Sequence, residues 1–172
     1  MTFNLTDTSL AIRSINENDE EVLFKIYAAT RMDELEVTGW TSKQKEDFIR
    51  QQFTAQHSYY QTNYNGAYFW VIEQNDKPVG RLYLHPNYEK NSMRIIDIAL
   101  LPEFRSKGIG SAILKDILNL AEQQGKKVSI HVESFNPAKS LYERLGFKQR
   151  SITNGVYHLM EYKSATKLAE PV

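Results

Sequence analysis

The sequence has no cysteine among its 172 residues, which excludes disulfide scaffolds, thiolate zinc sites and cysteine nucleophiles. It has no apolar run near the roughly 18 residues that a membrane helix needs, and its polar start lacks the apolar segment of a secretory signal. The 21 basic and 21 acidic residues cancel, so the chain has no general attraction to nucleic acids or anionic membranes. We therefore expect neither a nucleic-acid partner nor a membrane partner.

Glycine and proline are also sparse, with 8 and 5 residues, and they form no linker or repeat that would divide the chain. Hydrophobic residues make up 41% and charged residues 24% of the chain, which is an ordinary globular composition. The length suits one domain. We predict a soluble, cytoplasmic protein with a single domain over 1–172, which has an ordered core from about 8 to 163 and a polar tail over 164–172.

Hydrophobic periodicity divides the chain into strands and helices. The predicted strands cover 9–15, 67–73, 79–84, 94–101, 128–132 and 156–162. Predicted helices begin near Asn18, Thr41, Gly108 and Pro137, with an irregular segment over 30–41 and a tyrosine-rich loop over 57–66. Thr41 with Gln44 is typical of a capping box, 75–78 of a hairpin turn, and Gly125 of a helix end. Because strands outnumber helices and the two are mixed, we predict an α/β fold: a central, mostly antiparallel mixed sheet of about six or seven strands with about four helices on both faces.

The segment 95–110 combines a buried strand, a short basic loop with two glycines, and the start of a long helix. A helix N-terminus has unpaired N–H groups and a partial positive charge, which suits a pyrophosphate. Arg105 and Lys107 add positive charge, and the glycines allow close approach of the backbone. A Walker loop is excluded because its Gly-Lys-Ser/Thr end is missing, and Ile113 stands where a dinucleotide fingerprint needs a small residue. A tight turn with solvated basic residues is the alternative.

A second motif lies over 136–147 and runs Asn-Pro-Ala-Lys-Ser-Leu-Tyr-Glu-Arg-Leu-Gly-Phe. Together with Arg-x-x-Gly-x-Gly at 105–110, it strongly resembles the two signature motifs of the GNAT acyltransferase superfamily. The resemblance is specific over 94–147, and the remaining predicted strands are compatible with it. It implies a GNAT-like fold, in which the two central strands, here 94–101 and 128–132, splay apart.

The resemblance implies acetyl-CoA as the acyl donor, with its pantetheine arm between the splayed strands. The donor-binding positions that it implies are Ile98, Ala99, Leu100, Arg105, Ser106, Lys107, Gly108, Ile109, Gly110, Ser111 and Asn136. Positions 98–100 would pair with the pantetheine through their backbone, 105–111 would hold the pyrophosphate, and Asn136 would contact the CoA arm. Because the histidines at 57, 85 and 158 have no partner at metal-ligand spacing, we predict no metal.

The family resemblance also places Tyr142 beside the thioester sulfur, as a proton donor to the departing thiolate. A tyrosine of pKa ~10 is a weak acid against a thiol of pKa ~8.5, so complete proton transfer is uphill by about 2 kcal/mol. A hydrogen bond to the negative charge that develops on sulfur is still useful in an apolar setting. The alternative role for this tyrosine is to pack the short helix on the sheet.

A lysine-like amine is neutral only about once in 10³ molecules at neutral pH, so a catalytic base is expected to help. His131 lies on the polar side of its strand, at a position where some family members carry a glutamate base, and its reference pKa suits this role. Asp97 interrupts an apolar strand, so it must be paired, desolvated or facing a cavity. Both are candidate catalytic residues, Glu133 is a third, and a structural hydrogen-bonding role is the alternative for each.

The first half of the chain is expected to build the acceptor pocket. Its acidic residues at 33, 34 and 36 would attract a cationic amine, and its aromatic residues would wall the pocket or a homodimer interface; these are Tyr59, Tyr60, Tyr64, Tyr68 and Trp70. We predict an N-acetyltransferase that moves an acetyl group from acetyl-CoA to a primary amine of a small molecule, by direct attack in a ternary complex. A peptide or protein N-acetyltransferase and a non-catalytic acyl-CoA sensor are the alternatives.

Overall fold

The computed structural model describes residues 1–165, so nearly all of the tail predicted over 164–172 lies outside the described residues. Within this part of the chain there are seven strands: β1 (Leu10–Ser14), β2 (Tyr68–Gln74), β3 (Lys77–Glu89), β4 (Ser92–Leu100), β5 (Lys127–Glu133), β6 (Lys148–Thr153) and β7 (Tyr157–Tyr162). They form one sheet in the order β1-β2-β3-β4-β5-β7-β6. Only β4 and β5 are parallel neighbours, which confirms the predicted mostly antiparallel sheet.

Helices cover both faces of this sheet. The four α-helices within residues 1–165 are α1 (Glu20–Ala29), α2 (Ser42–Asn63), α3 (Ile109–Gln124) and α4 (Ala138–Arg144). Val71 packs with residues of α1 and α2, whereas Trp70 and Ile72 pack with residues of α3. Because neighbouring residues of a strand point to opposite faces, these contacts define an α2 face and an α3 face. No helix in the described residues is long and apolar enough to cross a membrane.

Local sequence signals set several element boundaries. The side chains of Thr41 and Gln44 cap each other's backbone N–H groups at the start of α2, as the sequence predicted. Asn75 and Asp76 both have positive φ angles, which allows the tight turn between β2 and β3. Gly125 ends α3 in a left-handed conformation, where a side chain would be strained.

Several segments differ from the prediction. No strand was predicted over 148–153, where the residues of β6 are all exposed, and β3 continues to Glu89 beyond its predicted end at Leu84. The expected loop over 57–66 is helical as far as Asn63, and the segment expected to be irregular over 30–41 holds a 3₁₀ helix over Met32–Thr38. The extension of α2 places the ring of Tyr60 against the ring of Tyr83 on β3, with 6.0 Å between centroids. Packing on the sheet therefore stabilises a tyrosine-rich helix end that local sequence does not favour.

The two central strands separate towards their C-terminal ends. Their parallel pairing joins Ser92–Ile95 to Lys127–Ile130 and then stops, although β4 continues to Leu100 and β5 to Glu133. The register of β3 and β4 also shifts just beyond this point, and a bulge of this kind bends a strand. The predicted splaying of the central strands is confirmed, and we refer to the gap beyond Ile95 and Ile130 as the opening.

Candidate active site

The edge of β4 presents free backbone groups to the opening. The N–H of Leu101 donates to the carbonyl of Val79 over 2.8 Å, so Ala99 also directs its backbone groups towards β3, while Ile98 and Leu100 direct theirs into the opening. The side chain of Arg105 donates to the carbonyl of Leu100 over 3.0 Å. Of the three positions predicted to contact pantetheine, Ala99 is therefore turned away from the opening, whereas the N–H groups of Ile98 and Leu100 are available to a ligand.

The N-terminus of α3 lies beyond the end of β4. Gly108 precedes the helix with a φ of 82°, a left-handed conformation that favours glycine. Ile109 is buried and anchors this end in the core. The first helical hydrogen bond joins the N–H of Ala112 to the carbonyl of Gly108, so the N–H groups of Ile109, Gly110 and Ser111 have no helical partner. These are the positions at which the sequence predicted pyrophosphate binding.

The loop before α3 is exposed and basic. Arg105, Ser106 and Lys107 are all exposed, and Ser106 has a positive φ of 59°. The ammonium of Lys107 lies 5.8 Å from the centre of the Phe104 ring. Neither basic side chain forms an ion pair with the residues that the structure describes. The loop therefore adds positive charge next to the unpaired N–H groups, which is an arrangement suited to a phosphate.

Tyr142 lies on α4, at the α3 face of the opening. It is 4% exposed, and its ring centroid is 5.7 Å from that of Phe147. Burial raises the pKa of its hydroxyl above the ordinary value, and the negative charge of Asp97 raises it further. Within residues 1–165 the hydroxyl has no hydrogen-bond partner. The group is therefore protonated at neutral pH and free to donate to a ligand.

Asn136 stands just before α4 and has a local structural role. Its side-chain oxygen accepts from the N–H of Ala138 over 2.9 Å, which begins this short helix. The carbonyl end of the side chain is thus already used, so the predicted contact with a CoA arm has to come from its amide NH₂.

Asp97 lies on the α2 face of the opening, opposite Tyr83 in the sheet. Its carboxylate accepts a hydrogen bond from Arg81, which also donates to Gln56 of α2 over 3.1 Å. The Arg81 side chain is 4% exposed and the Asp97 side chain 23%. Of the three states expected for Asp97 (paired, desolvated or facing a cavity), the structure shows the paired one, in an ion pair on the α2 face of the opening. Its partner was not identified from the sequence.

His131 lies on β5, also on the α2 face, and its ring is exposed. Its Nδ1 is 3.3 Å from Nη1 of Arg94. Because a guanidinium has only donors, Nδ1 must accept and the ring proton must lie on Nε2. Burial lowers the pKa of His131, and the charge of Arg94 lowers it further. This histidine is therefore neutral, but its basic nitrogen is already bonded.

Glu133, the third candidate base, pairs with Arg31 from the end of α1 over 3.0 Å. The acidic segment expected to attract an amine is also largely compensated. Glu34 lies 3.5 Å from Arg31, and Glu36 lies 2.9 Å from Lys45. This segment therefore has less net negative charge than the acidic sequence suggested.

A row of aromatic rings continues from Asp97 along the α2 face. Tyr60, Tyr64 and Tyr88 follow one another with centroid distances of 5.7 Å and 6.3 Å. Burial raises the pKa of Tyr60, and the charge of Asp97 adds to this effect. In contrast, Tyr68 and Trp70 stack on each other within the core of the α3 face. Only the first group can wall a pocket on the α2 face.

Three arginines that face this site were not predicted from the sequence: Arg31, Arg81 and Arg94. Two of them stand inside strands that are otherwise apolar, which is the same signal that singled out Asp97. Within residues 1–165, no three histidine, aspartate or glutamate side chains gather in a way that would hold a metal ion.

The fold is that of known acyl-transfer enzymes. The N-acetyltransferase PaiA of Thermoplasma acidophilum, solved in complex with coenzyme A, superposes with a TM-score of 0.65 and 20% identity, over 91% of this chain and 99% of that one. At the level of sequence, the model of the acetyltransferase (GNAT) family matches residues 29–147. The chain therefore belongs to the GNAT acetyltransferase family, as its two motifs indicated.

Curated relatives differ in how much of their length is matched. An uncharacterised N-acetyltransferase of Methanocaldococcus jannaschii is 32% identical over 95 residues, which cover 51% of this chain but only 42% of that protein. A candidate ribosomal protein bS18-alanine N-acetyltransferase of Bacillus subtilis is 24% identical over 152 residues, which cover 87% of this chain and 88% of that one. The names of the relatives thus leave the acceptor class open.

Proposed function

We propose that this protein transfers an acetyl group from acetyl-CoA to the primary amine of a small molecule. The observation that carries the proposal is a set of unpaired donors around the opening. It consists of the N–H groups of Ile109 to Ser111, those of Ile98 and Leu100 at the edge of β4, and the hydroxyl of Tyr142. These donors are of the kinds that a pyrophosphate, an amide-containing arm and a thioester need.

Each group of the chain has a defined task in this reaction. The N–H groups of Ile98 and Leu100 would donate to oxygens of the arm and of the thioester carbonyl. The neutral amine nitrogen forms a bond to the carbonyl carbon, and the carbon–sulfur bond breaks. The sulfur leaves as a thiol with a proton from Tyr142, and the proton that the nitrogen loses restores the Tyr142 hydroxyl. Asp97, which is paired with Arg81, faces the opening from the α2 side. The ammonium form of the acceptor loses its first proton to solvent water before the attack.

A direct reaction in one complex is the simplest route. The chain has no cysteine, so a thiol acyl-enzyme cannot form. Tyr142 and Asp97 face the opening from opposite sides of the sheet, which leaves the gap itself for the two substrates. The aromatic row of Tyr60, Tyr64 and Tyr88 supports a small acceptor, because flat rings wall a confined pocket well.

The alternative acceptor is the N-terminus of a protein. The relative from Bacillus subtilis supports it, since its similarity extends over 87% of this chain. Peptides that begin with alanine should then be acetylated faster than free amines of similar size. A sensor that binds acetyl-CoA without turnover is the other alternative, and it predicts binding with no release of thiol.

The first test is a calorimetric titration with acetyl-CoA, followed by measurement of thiol release with a panel of small amines and alanine peptides. We expect micromolar donor binding and thiol release that depends on a small amine. Donor binding without release from any acceptor would favour the sensor, and no donor binding would overturn the proposal.

A further inference from the structure

Arg94 is a buried cation without a carboxylate partner. The residue is 9% exposed, and it forms no ion pair with any residue that the structure describes. Burying a charge is costly unless the charge is paired. The neighbouring carboxylates already have their own arginines: Asp97 pairs with Arg81, and Glu133 pairs with Arg31.

The nearest carboxylate on the next strand is also paired with another arginine. Glu161 on β7 lies beside Ser129 in the sheet, and it pairs with Arg150 over 3.5 Å. Among the arginines of this surface, Arg94 is therefore the one that forms no ion pair with a described side chain. A ligand with a negative charge would supply such a pair.

The guanidinium of Arg94 is fixed in place but is not saturated. Its Nε donates to the hydroxyl of Ser129 over 2.7 Å, and its Nη1 donates to His131. Its plane lies over the ring of Tyr88, with 4.3 Å between the Cζ atom and the ring centre. Five N–H donors are available on a guanidinium, so the edge formed by Nη1 and Nη2 still has free donors. This edge has the geometry that binds a carboxylate through two parallel hydrogen bonds.

His131 extends this donor set. Because its Nδ1 accepts from Arg94, its Nε2 carries a proton and is a third donor beside the guanidinium. The ring is exposed, so a ligand can reach it. The position that the sequence suggested for a base thus has the geometry of an anion-binding group.

Arg94 also lies at a suitable distance from the reacting groups. It is on the α2 face of β4, three residues before Asp97, and a strand rises about 3.3 Å per residue. The spacing along β4 is therefore at most about 10 Å, and the register shift shortens it. A molecule that binds Arg94 at one end can place its other end at the opening.

We propose that Arg94 and His131 bind a carboxylate of the acceptor, with Tyr88 beneath the guanidinium, so that the acceptor is a small amine that carries a carboxylate several bonds from its nitrogen. This inference rests on the proposed acetyl transfer, and it names the class of acceptor. Aromatic rings at Tyr64 and Tyr88 would contact the carbon chain that joins the two ends.

The test compares wild-type thiol release for ω-amino acids of four to eight carbons with that for alkylamines of equal length. We expect kcat/KM to be at least about 10-fold higher for the best amino acid, since a hydrogen-bonded charge contributes this much or more. A higher kcat/KM for the alkylamines would overturn the inference, and so would a higher value for an aminoalkyl phosphate of the same length.

The variant Arg94→Gln then tests whether the preference for amino acids depends on Arg94. We expect its KM for the best amino acid to rise about 10- to 100-fold and its KM for the alkylamine to stay within about twofold. Arg94→Lys keeps the charge but loses the planar edge, so its KM for the amino acid should lie between those of the wild type and Arg94→Gln. Equal losses for both substrates would overturn the inference.

Arg50→Gln is the matched control. Arg50 also lies over an aromatic ring, at 3.8 Å from Phe24, but it pairs with carboxylates on α1 and α2. Its removal should leave both KM values unchanged. If no amine causes thiol release although acetyl-CoA binds, the proposed function fails and this inference fails with it. Release with alkylamines alone would refute only the carboxylate site.

Discussion

On the α3 face and along the β4 edge of the opening, the groups available to a ligand are backbone N–H groups, the basic side chains of the loop before α3 and one tyrosine. They all lie within residues 98–142. On the α2 face they are charged side chains whose partners are far apart in the chain. Arg31 and Glu133 are 102 residues apart, and Arg94 and His131 are 37 apart. The first arrangement depends mostly on backbone geometry, whereas the second can change with single substitutions. The first face is therefore suited to a common donor and the second to a particular acceptor.

The largest expected effect is on the α3 face, at Gly108. Glutamate at this position places a negative side chain beside the N-terminus of α3 and forces a φ of 82° on a residue with a Cβ atom. We expect Gly108→Glu to weaken acetyl-CoA binding at least about 100-fold, as measured by calorimetry.

Two controls separate charge from strain at this position. A Cβ atom at Gly108 would meet no atom within 4 Å, and the same is true of Gly39, which also has a positive φ. Gly108→Ala should therefore lose little donor affinity, and Gly39→Glu none. If Gly108→Ala bound as weakly as Gly108→Glu, backbone strain rather than the anion site would explain the loss.

The next effect concerns Tyr142. We expect Tyr142→Phe to lower kcat about 100-fold or more while it leaves acetyl-CoA affinity within about threefold, because only the proton donor is removed. Since burial raises the pKa of this tyrosine above its ordinary value, the wild-type kcat should not fall up to about pH 10 through loss of its proton. Stopped-flow thiol release across pH would measure the kcat of Tyr142→Phe and the pH dependence of the wild-type kcat. A decline of kcat with an apparent pKa below 9 that is absent from Tyr142→Phe would contradict this expectation.

On the α2 face, the larger stability effect is expected at Asp97. Asp97→Asn leaves Arg81, whose side chain is 4% exposed, without its counter-charge, at a cost of about 3 kcal/mol in the free energy of unfolding. The matched change is Glu133→Gln, because its partner Arg31 is 26% exposed and water can replace the lost charge, at a cost of about 1 kcal/mol or less. Urea unfolding of both variants gives the comparison. Equal losses would mean that burial does not distinguish the two pairs.

The smallest effect is the pH dependence at His131. Its pKa is lowered in the folded protein, so the unfolded chain binds more protons below about pH 6.5 and stability falls as the pH decreases. His131→Gln keeps an acceptor for Arg94 and removes this titration. The loss of unfolding free energy between pH 7 and pH 5 should then shrink by about 0.5 kcal/mol or less, because the ring is partly exposed.

His57 gives the control for this measurement. Burial and the charge of Arg81 lower its pKa as well, so part of the acid sensitivity should remain in His131→Gln. The double variant with His57→Gln should remove more of it. An unchanged pH slope in both variants would show that neither histidine contributes.

Much of the fold follows from short-range patterns. The capping box of Thr41 and Gln44, the turn at Asn75 and Asp76, and the end of α3 at Gly125 depend on neighbours within a few residues. These positions carry their own conformational preferences, so the sequence alone predicted them correctly. The end of α2 is the counter-example, because a tyrosine-rich segment is helical only when its rings pack on β3.

In the candidate site, too, some features follow from local sequence and others depend on tertiary packing. The family, the strand before α3, the glycines at its N-terminus and the tyrosine on α4 could be predicted from the sequence, because they depend on contiguous motifs and on backbone geometry. The sequence also singled out Asp97 as paired, desolvated or facing a cavity. The packing of the strands was needed to show that Asp97 pairs with Arg81, that His131 accepts from Arg94, and that Arg94 has no carboxylate partner among the described residues. Such pairings depend on strand order and register, which bring together residues that no local pattern relates.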